Sequence, residues 1–167
     1  MSPSPSHHVA LRVTNIERAL RFYVDAFEGT ILTAPYLREG PEVELTWGGL
    51  VGVSYLVSHI AFEVGAIELF QFRVPAEPSP REPLDPGAAI LHFGMRVDNV
   101  EACLAGVERA GGRRLWPEIR TLAADASVIY VADPDGNVIE LSDASIERIA
   151  QLVILGHPHA RPAGSEL

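Results

Sequence analysis

Lysine is absent: all 13 basic residues of the 167-residue chain are arginine. Chemistry that runs through a lysine Schiff base is therefore excluded. There is one cysteine, Cys103, so no internal disulfide can form and a reducing compartment suits the chain. Cys103 falls within a helical pattern and reads as a small buried hydrophobe. Positive charge is scarce, and 22 acidic residues bring the net charge to −9. The lack of a basic stripe to neutralise phosphates argues against unassisted nucleic-acid binding. Long apolar runs are missing as well. The longest uncharged stretches, such as 45–61, hold Gly, Ser, Thr and His and are too short to cross a bilayer. Met1 is followed by serines, prolines and two histidines rather than a basic and then apolar leader. The expectation is a soluble, cytoplasmic protein. Apolar residues make up 47% of the chain, enough for one substantial core or for two small modules sharing one.

What is present is a repeat. His8-Val-Ala-Leu-Arg-Val-Thr-Asn-Ile-Glu-Arg-Ala-Leu20 is echoed by His92-Phe-Gly-Met-Arg-Val-Asp-Asn-Val-Glu-Ala-Cys-Leu104 at a constant offset of 84 (92 − 8, 104 − 20). Ala66-Ile-Glu-Leu69 and Val138-Ile-Glu-Leu141 form a second matched pair. Each half opens on a histidine in a strand and closes on a glutamate in a strand, so the duplication fixes the architecture.

Along the chain, residues 1–6 are a polar, proline-broken lead-in. Residues 8–13 alternate as a strand, with His8, Ala10 and Arg12 on one face. Thr14-Asn-Ile-Glu17 fits a capping box that opens a helix over 15–28, and Gly29 suits its stop. A strand follows near 30–36, then a turn-rich stretch around Gly40-Pro41. A long strand is expected within 51–64 and another over 67–74, where Glu68, Phe70 and Phe72 share a face. Five prolines between Pro75 and Pro86 mark a linker over 75–88. The second module, 89–143, repeats the plan. It has a strand at 91–97, a capping box Asp98-Asn-Val-Glu101 opening a helix to 110, and strands near 113–116, 127–132 and 137–142. Asp133-Pro-Asp-Gly-Asn137 is a strong turn. An amphipathic helix over 146–155 and a loose tail complete residues 144–167. The sum is an α+β protein of two βαβββ modules, the first over 7–74.

The chemistry follows from the faces. His8 and His92 lie beside small neighbours, Ala10 and Gly94, on faces with room for a ligand. Glu68 and Glu140 each sit within an apolar strand, where a carboxylate must be paired, protonated or metal-bound. Pseudo-symmetry would bring His8, Glu68, His92 and Glu140 to one point. Two imidazoles and two carboxylates suit Zn²⁺, Ni²⁺, Co²⁺, Mn²⁺ or Fe²⁺. The plainer alternative is a set of buried polar groups that satisfy one another. His59 lies on the strand of the first module. Arg12 and Arg96 are candidates for holding an anionic substrate group, against a structural role in pairing with acids. Phe70 and Phe72 are candidate pocket walls, against simple core packing.

Taken together, the His8–Glu17 segment with Phe22-Tyr23, Ile67-Glu-Leu69, His92–Val100 and Asp133-Pro-Asp-Gly-Asn-Val-Ile-Glu-Leu141 make the chain resemble the vicinal oxygen chelate superfamily. That group includes glyoxalase I, methylmalonyl-CoA epimerase, the extradiol dioxygenases and the bleomycin and fosfomycin resistance proteins. The resemblance spans about residues 7–143. It implies a curved eight-stranded mixed sheet around a metal-containing cleft, with His8, Glu68, His92 and Glu140 as ligands of a divalent ion. It further implies proton removal next to a carbonyl of a small substrate by an isomerase or lyase of glyoxalase or epimerase type. Glu140 or Glu68 would then act as both ligand and base. His59 falls near the place where the epimerases carry a catalytic glutamate, which makes it a candidate second base. Chains of this group often pair, so a homodimer is expected. Two other functions stay open: an Fe²⁺-dependent ring-cleaving dioxygenase, and a resistance protein that binds an antibiotic or metabolite without turnover.

Overall fold

Alternating apolar and polar residues give each strand one buried and one open face, and the computed structural model, which describes residues 7–75, 83 and 90–156, follows that division. Module one runs β1 (His8–Arg12), α1 (Ile16–Phe27), β2 (Thr30–Arg38), α2 (Pro41–Thr46), β3 (Ser54–Ala61) and β4 (Ala66–Val74). Module two runs β5 (Phe93–Arg96), α3 (Val100–Arg109), β6 (Arg113–Arg114), β7 (Arg120–Ala123), β8 (Ala126–Ala132) and β9 (Val138–Ser142), and α4 (Ile146–Gly156) follows. The mixed α+β architecture of two βαβββ-type modules is as expected. Within the chain the strands form two sheets, ordered β1-β4-β3-β2 and β5-β9-β8-β6, with β7 also paired to β8. In both sheets the first strand runs parallel to the last, and the last is antiparallel to its other neighbour. Most of the linker expected over 75–88, the lead-in 1–6 and the tail beyond 156 lie outside the described residues.

One face of each sheet is covered by its module's helix. Leu11, Ile60, Ile67 and Leu69 meet Ile16, Ala19, Leu20 and Tyr23 of α1, while Ile129, Val131, Ile139 and Leu141 meet Val100, Leu104 and Val107 of α3. α1 also packs on α3, so both sets merge into one apolar core. Burial of this continuous surface is the main force joining the modules.

The turn before β9 adds a polar clamp. Asp133 Oδ1 accepts from the backbone N–H groups of Asp135 (2.9 Å) and Asn137 (2.8 Å), closing the turn on itself. Its Oδ2 accepts from Asn137 Nδ2 at 2.8 Å and from the hydroxyl of Tyr23 in α1 at 2.9 Å. Asp135 Oδ1 accepts from Thr14 N (2.8 Å), Thr14 Oγ1 (2.6 Å) and Arg18 Nη2 (2.8 Å). Asn137 Nδ2 also donates to the Arg12 carbonyl at 3.2 Å. A turn of module two thereby grips the β1–α1 junction of module one.

Several local expectations shift. Asn15 rather than Thr14 caps α1, its Oδ1 accepting from Arg18 N at 2.9 Å, because Thr14 is engaged by Asp135. Asn99 rather than Asp98 caps α3 in the same way. Glu28, at φ 56°, takes the left-handed stop expected of Gly29. Gly29 is required for another reason, since a Cβ there would meet Ile60 Cγ2 at 2.6 Å. The Gly40-Pro41 stretch opens α2, a six-residue helix whose Val43 is buried against Val53, Tyr55, Val57 and Phe72. Tertiary burial stabilises a helix too short to form by itself. The strand expected near 113–116 is only two residues long, and β7 supplies further pairing to β8.

Candidate metal centre

The open face of the first sheet is set by register. Glu68 lies opposite Ala10 on β1 and opposite His59 on β3. Phe70 continues the face beside Arg12 and Val57, and Phe72 beside Tyr55. His8 Nε2 is 3.8 Å from Glu68 Oε2, and His59 Nε2 is 3.0 Å from Glu68 Oε1. The Nδ1 atoms of His8 and His7 are 2.8 Å apart, so His8 turns its other nitrogen to the glutamate. His59 Nδ1 lies 2.9 Å from Thr33 Oγ1, which accepts from the His59 backbone N–H at 3.1 Å. Thr33 at one ring nitrogen and Glu68 at the other leave His59 engaged at both ends of its ring.

The second sheet repeats the plan with one change. Glu140 lies opposite Gly94 on β5 and opposite Tyr130 on β8, and His92 Nε2 is 3.6 Å from Glu140 Oε2. Tyr130 therefore occupies the place that His59 holds in module one. Its ring stands 4.9 Å from that of His92 and 4.6 Å from that of Trp116, and Arg120 caps Trp116 at 5.1 Å. Burial first, then hydrogen bonding and charge from Glu140, raise the Tyr130 hydroxyl to about 12.

Both glutamates are largely covered, with side-chain exposures of 23% for Glu68 and 14% for Glu140. Imidazole-to-carboxylate distances of 3.6 and 3.8 Å are too long for hydrogen bonds. They approach the roughly 3–3.6 Å that separates two ligands each ~2.1 Å from one cation. The nitrogen and oxygen donors also fit a borderline divalent ion. Each module thus brings one His–Glu pair together. Among the described residues no group of three or more His, Cys, Asp or Glu side chains is placed to hold a metal ion.

Of the other candidates, the Arg12 guanidinium lies 4.8 Å above the Phe72 ring, while Arg96 is exposed near the charge of Glu147. Phe72 is buried among Trp47, Tyr55 and Phe70, and Phe70 is half-buried. Burial pushes the Cys103 thiol up, away from nucleophilic character. A cleft of about 440 Å³ lined by Asp98, Glu101, Thr121 and Asp143 shares no residue with either His–Glu pair. Tyr130, Thr33 and Trp116 are neighbours of the pairs that sequence reasoning did not single out.

Residues 6–141 match the model of the Glyoxalase/Bleomycin resistance protein/Dioxygenase superfamily. A probable chloroplastic lactoylglutathione lyase of Arabidopsis thaliana is 26% identical over 134 residues, which cover 80% of this chain and 34% of that one. The chain therefore spans about a third of the length of that relative. A glyoxalase family protein from Bacillus cereus superimposes with a TM-score of 0.71 at 14% identity, over 84% of this chain and 95% of the other. The fosfomycin resistance protein FosX from Listeria monocytogenes superimposes with a TM-score of 0.59 at 14% identity, over 90% and 98%. At these identities the superpositions establish the fold.

Proposed function

The chain belongs to the glyoxalase/bleomycin resistance protein/dioxygenase superfamily, and from that premise we propose that it is a metal-dependent enzyme moving a proton next to a carbonyl, or next to vicinal oxygens, of a small substrate. The reaction class is isomerase or lyase, of glyoxalase or epimerase type. One observation carries this reading: repeat-equivalent His–Glu pairs stand 3.8 and 3.6 Å apart on the open faces of the two sheets. His8, Glu68, His92 and Glu140 would hold the cation, which is Zn²⁺, Ni²⁺, Co²⁺, Mn²⁺ or Fe²⁺. A bound divalent ion supplies Lewis-acid stabilisation of the enolate left by proton removal.

The protein's own groups do the rest. Glu68 and Glu140 each offer a carboxylate oxygen to take the proton from carbon. His59 Nε2, 3.0 Å from Glu68 Oε1, orients that carboxylate and is the candidate second base. Arg12, Arg96, Phe70 and Phe72 are the candidate contacts for the remainder of the substrate. The modules of one chain are joined through their helix-covered faces, and among the described residues each pair stands without a partner pair. A homodimer that sets the module-one pair of one copy against the module-two pair of the other completes the four-ligand set. The single cysteine suits the cytoplasm.

Elemental analysis of the purified protein tests the reading, with Glu68→Gln and Glu140→Gln variants alongside and the mass in solution measured by light scattering. The expected result is a bound divalent metal in a dimer, lost in both variants. Full metal retention in both removes these glutamates from the site. Ferrous iron with dioxygen uptake on a catechol turns the assignment to a ring-cleaving oxygenase. Tight binding of a drug by metal-free protein turns it to a sequestering resistance protein.

A further inference from the structure

The hairpins that carry the two glutamates also place a third side chain at equivalent points. His59 faces Glu68 across β3–β4, and Tyr130 faces Glu140 across β8–β9. The two differ in what they can do. An imidazole has a donor and an acceptor nitrogen, whereas a phenol towards a carboxylate is a donor. Their surroundings differ too. His59 is tied to the Thr33 hydroxyl at 2.9 Å and stacks loosely on Tyr36 at 6.3 Å. Tyr130 is wedged between the rings of His92 and Trp116, with Arg120 closing the column. Its ring therefore lies against one member of the module-two pair, and the residue stands directly opposite the other across the hairpin.

We propose that Tyr130 is a positioning residue for the module-two half of the metal centre, fixing the Glu140 carboxylate through its hydroxyl and the His92 imidazole through its ring. The two halves are then unequal. Glu140 is held by a donor inside an aromatic stack, and Glu68 is held by a group that can both give and receive a hydrogen. This inference rests on the metal-centre reading above. Outer partners that orient a ligand typically change metal affinity by roughly 10- to 100-fold when removed.

The test is Co²⁺ titration of the full-length protein, read by its visible absorption and by calorimetry. Tyr130→Phe keeps the ring and its packing but loses the hydroxyl. It is expected to weaken Co²⁺ binding roughly 10- to 100-fold, with an unchanged thermal midpoint. Tyr130→His, which restores a donor at that point, is expected to recover part of the loss. Affinity in Tyr130→Phe within about twofold of the parent overturns the inference. A parent protein that takes up no Co²⁺, nor any other divalent ion, overturns the proposed function itself and the inference with it.

Discussion

Tyr23→Phe isolates the polar clamp between the modules. The Tyr23 ring is fully buried, and its hydroxyl donates at 2.9 Å to Oδ2 of Asp133, which is 1% exposed. The substitution leaves ring packing intact and takes one hydrogen bond from a buried carboxylate. Such bonds to charged groups contribute about 1.5–3 kcal/mol. Oδ2 keeps its bond from Asn137 Nδ2, so the loss should sit near the lower half, about 2 kcal/mol. For a chain of this size that is a fall in thermal midpoint of about 4–8 °C. In urea, with a slope of about 2 kcal/mol/M, it is a shift of about 1 M. The penalty should also depend on pH, with a definite sign. Burial is the largest influence on Asp133 and raises its pKa above 3.8, while the Asn137 and Tyr23 hydrogen bonds oppose the rise. A carboxyl whose folded pKa lies above its unfolded one holds more protons when folded. Its contribution to stability therefore grows as pH falls through the folded pKa towards 3.8. Removing the Tyr23 bond lifts that pKa further, so the variant should gain more on acidification and the penalty should shrink. Urea unfolding at neutral pH and near pH 5 measures both effects. A midpoint shift below about 0.2 M at neutral pH, or a penalty that grows on acidification, refutes the account of the clamp.

Two further outcomes follow from the same geometry. His59→Ala removes a side chain 3.0 Å from Glu68 but none of the four candidate ligands. The protein should keep its metal and lose turnover, and full activity on the eventual substrate ends the second-base role. Gly112→Ala puts a Cβ 2.7 Å from Phe22 Cε2 and 2.8 Å from both the Ala132 carbonyl oxygen and Val107 Cγ1. The carbonyl is fixed by the strand, so overpacking of about 1–3 kcal/mol is expected, read as a lower urea midpoint.

Much of this was legible in the residues because the duplication is written without gaps where it matters. The constant offset of 84 aligned β1 with β5 and α1 with α3, and period-2 alternation put His8 and Glu68 on one face. What escaped was long-range. Thr14 looked like a helix cap because Asp135, 121 residues away, cannot be seen from a local pattern to claim its hydroxyl. The α2 segment has only turn signals of its own, because its stability comes from Val43 reaching a separate apolar cluster. Tyr130 was hidden by a change of spacing. The glutamates are 72 residues apart (140 − 68), but His59 and Tyr130 are 71 apart (130 − 59), since the turn before β9 holds one more residue. Alternation in the separate modules could not say which halves of the site meet.

The division of faces explains how one scaffold serves two demands. The apolar sides of both sheets are used up on α1, α3 and each other, and the Asp133–Tyr23 clamp lies at that junction. The open sides keep partly covered imidazoles and carboxylates: the His8–Glu68 and His92–Glu140 distances are too long for hydrogen bonds, while His59 meets Glu68 at 3.0 Å. The groups that would bind a cation therefore face away from the α1–α3 core, although in the first sheet Tyr55, Val57 and Phe72 on the Glu68 face pack with α2. Variants should separate accordingly. Changes at Tyr23 or Gly112 should move unfolding midpoints with metal affinity per folded molecule intact, and changes at Glu68, Glu140 or Tyr130 should do the reverse. A Tyr23→Phe protein that loses its metal while still folded would show that the module junction, not the strand faces alone, sets the geometry of the centre.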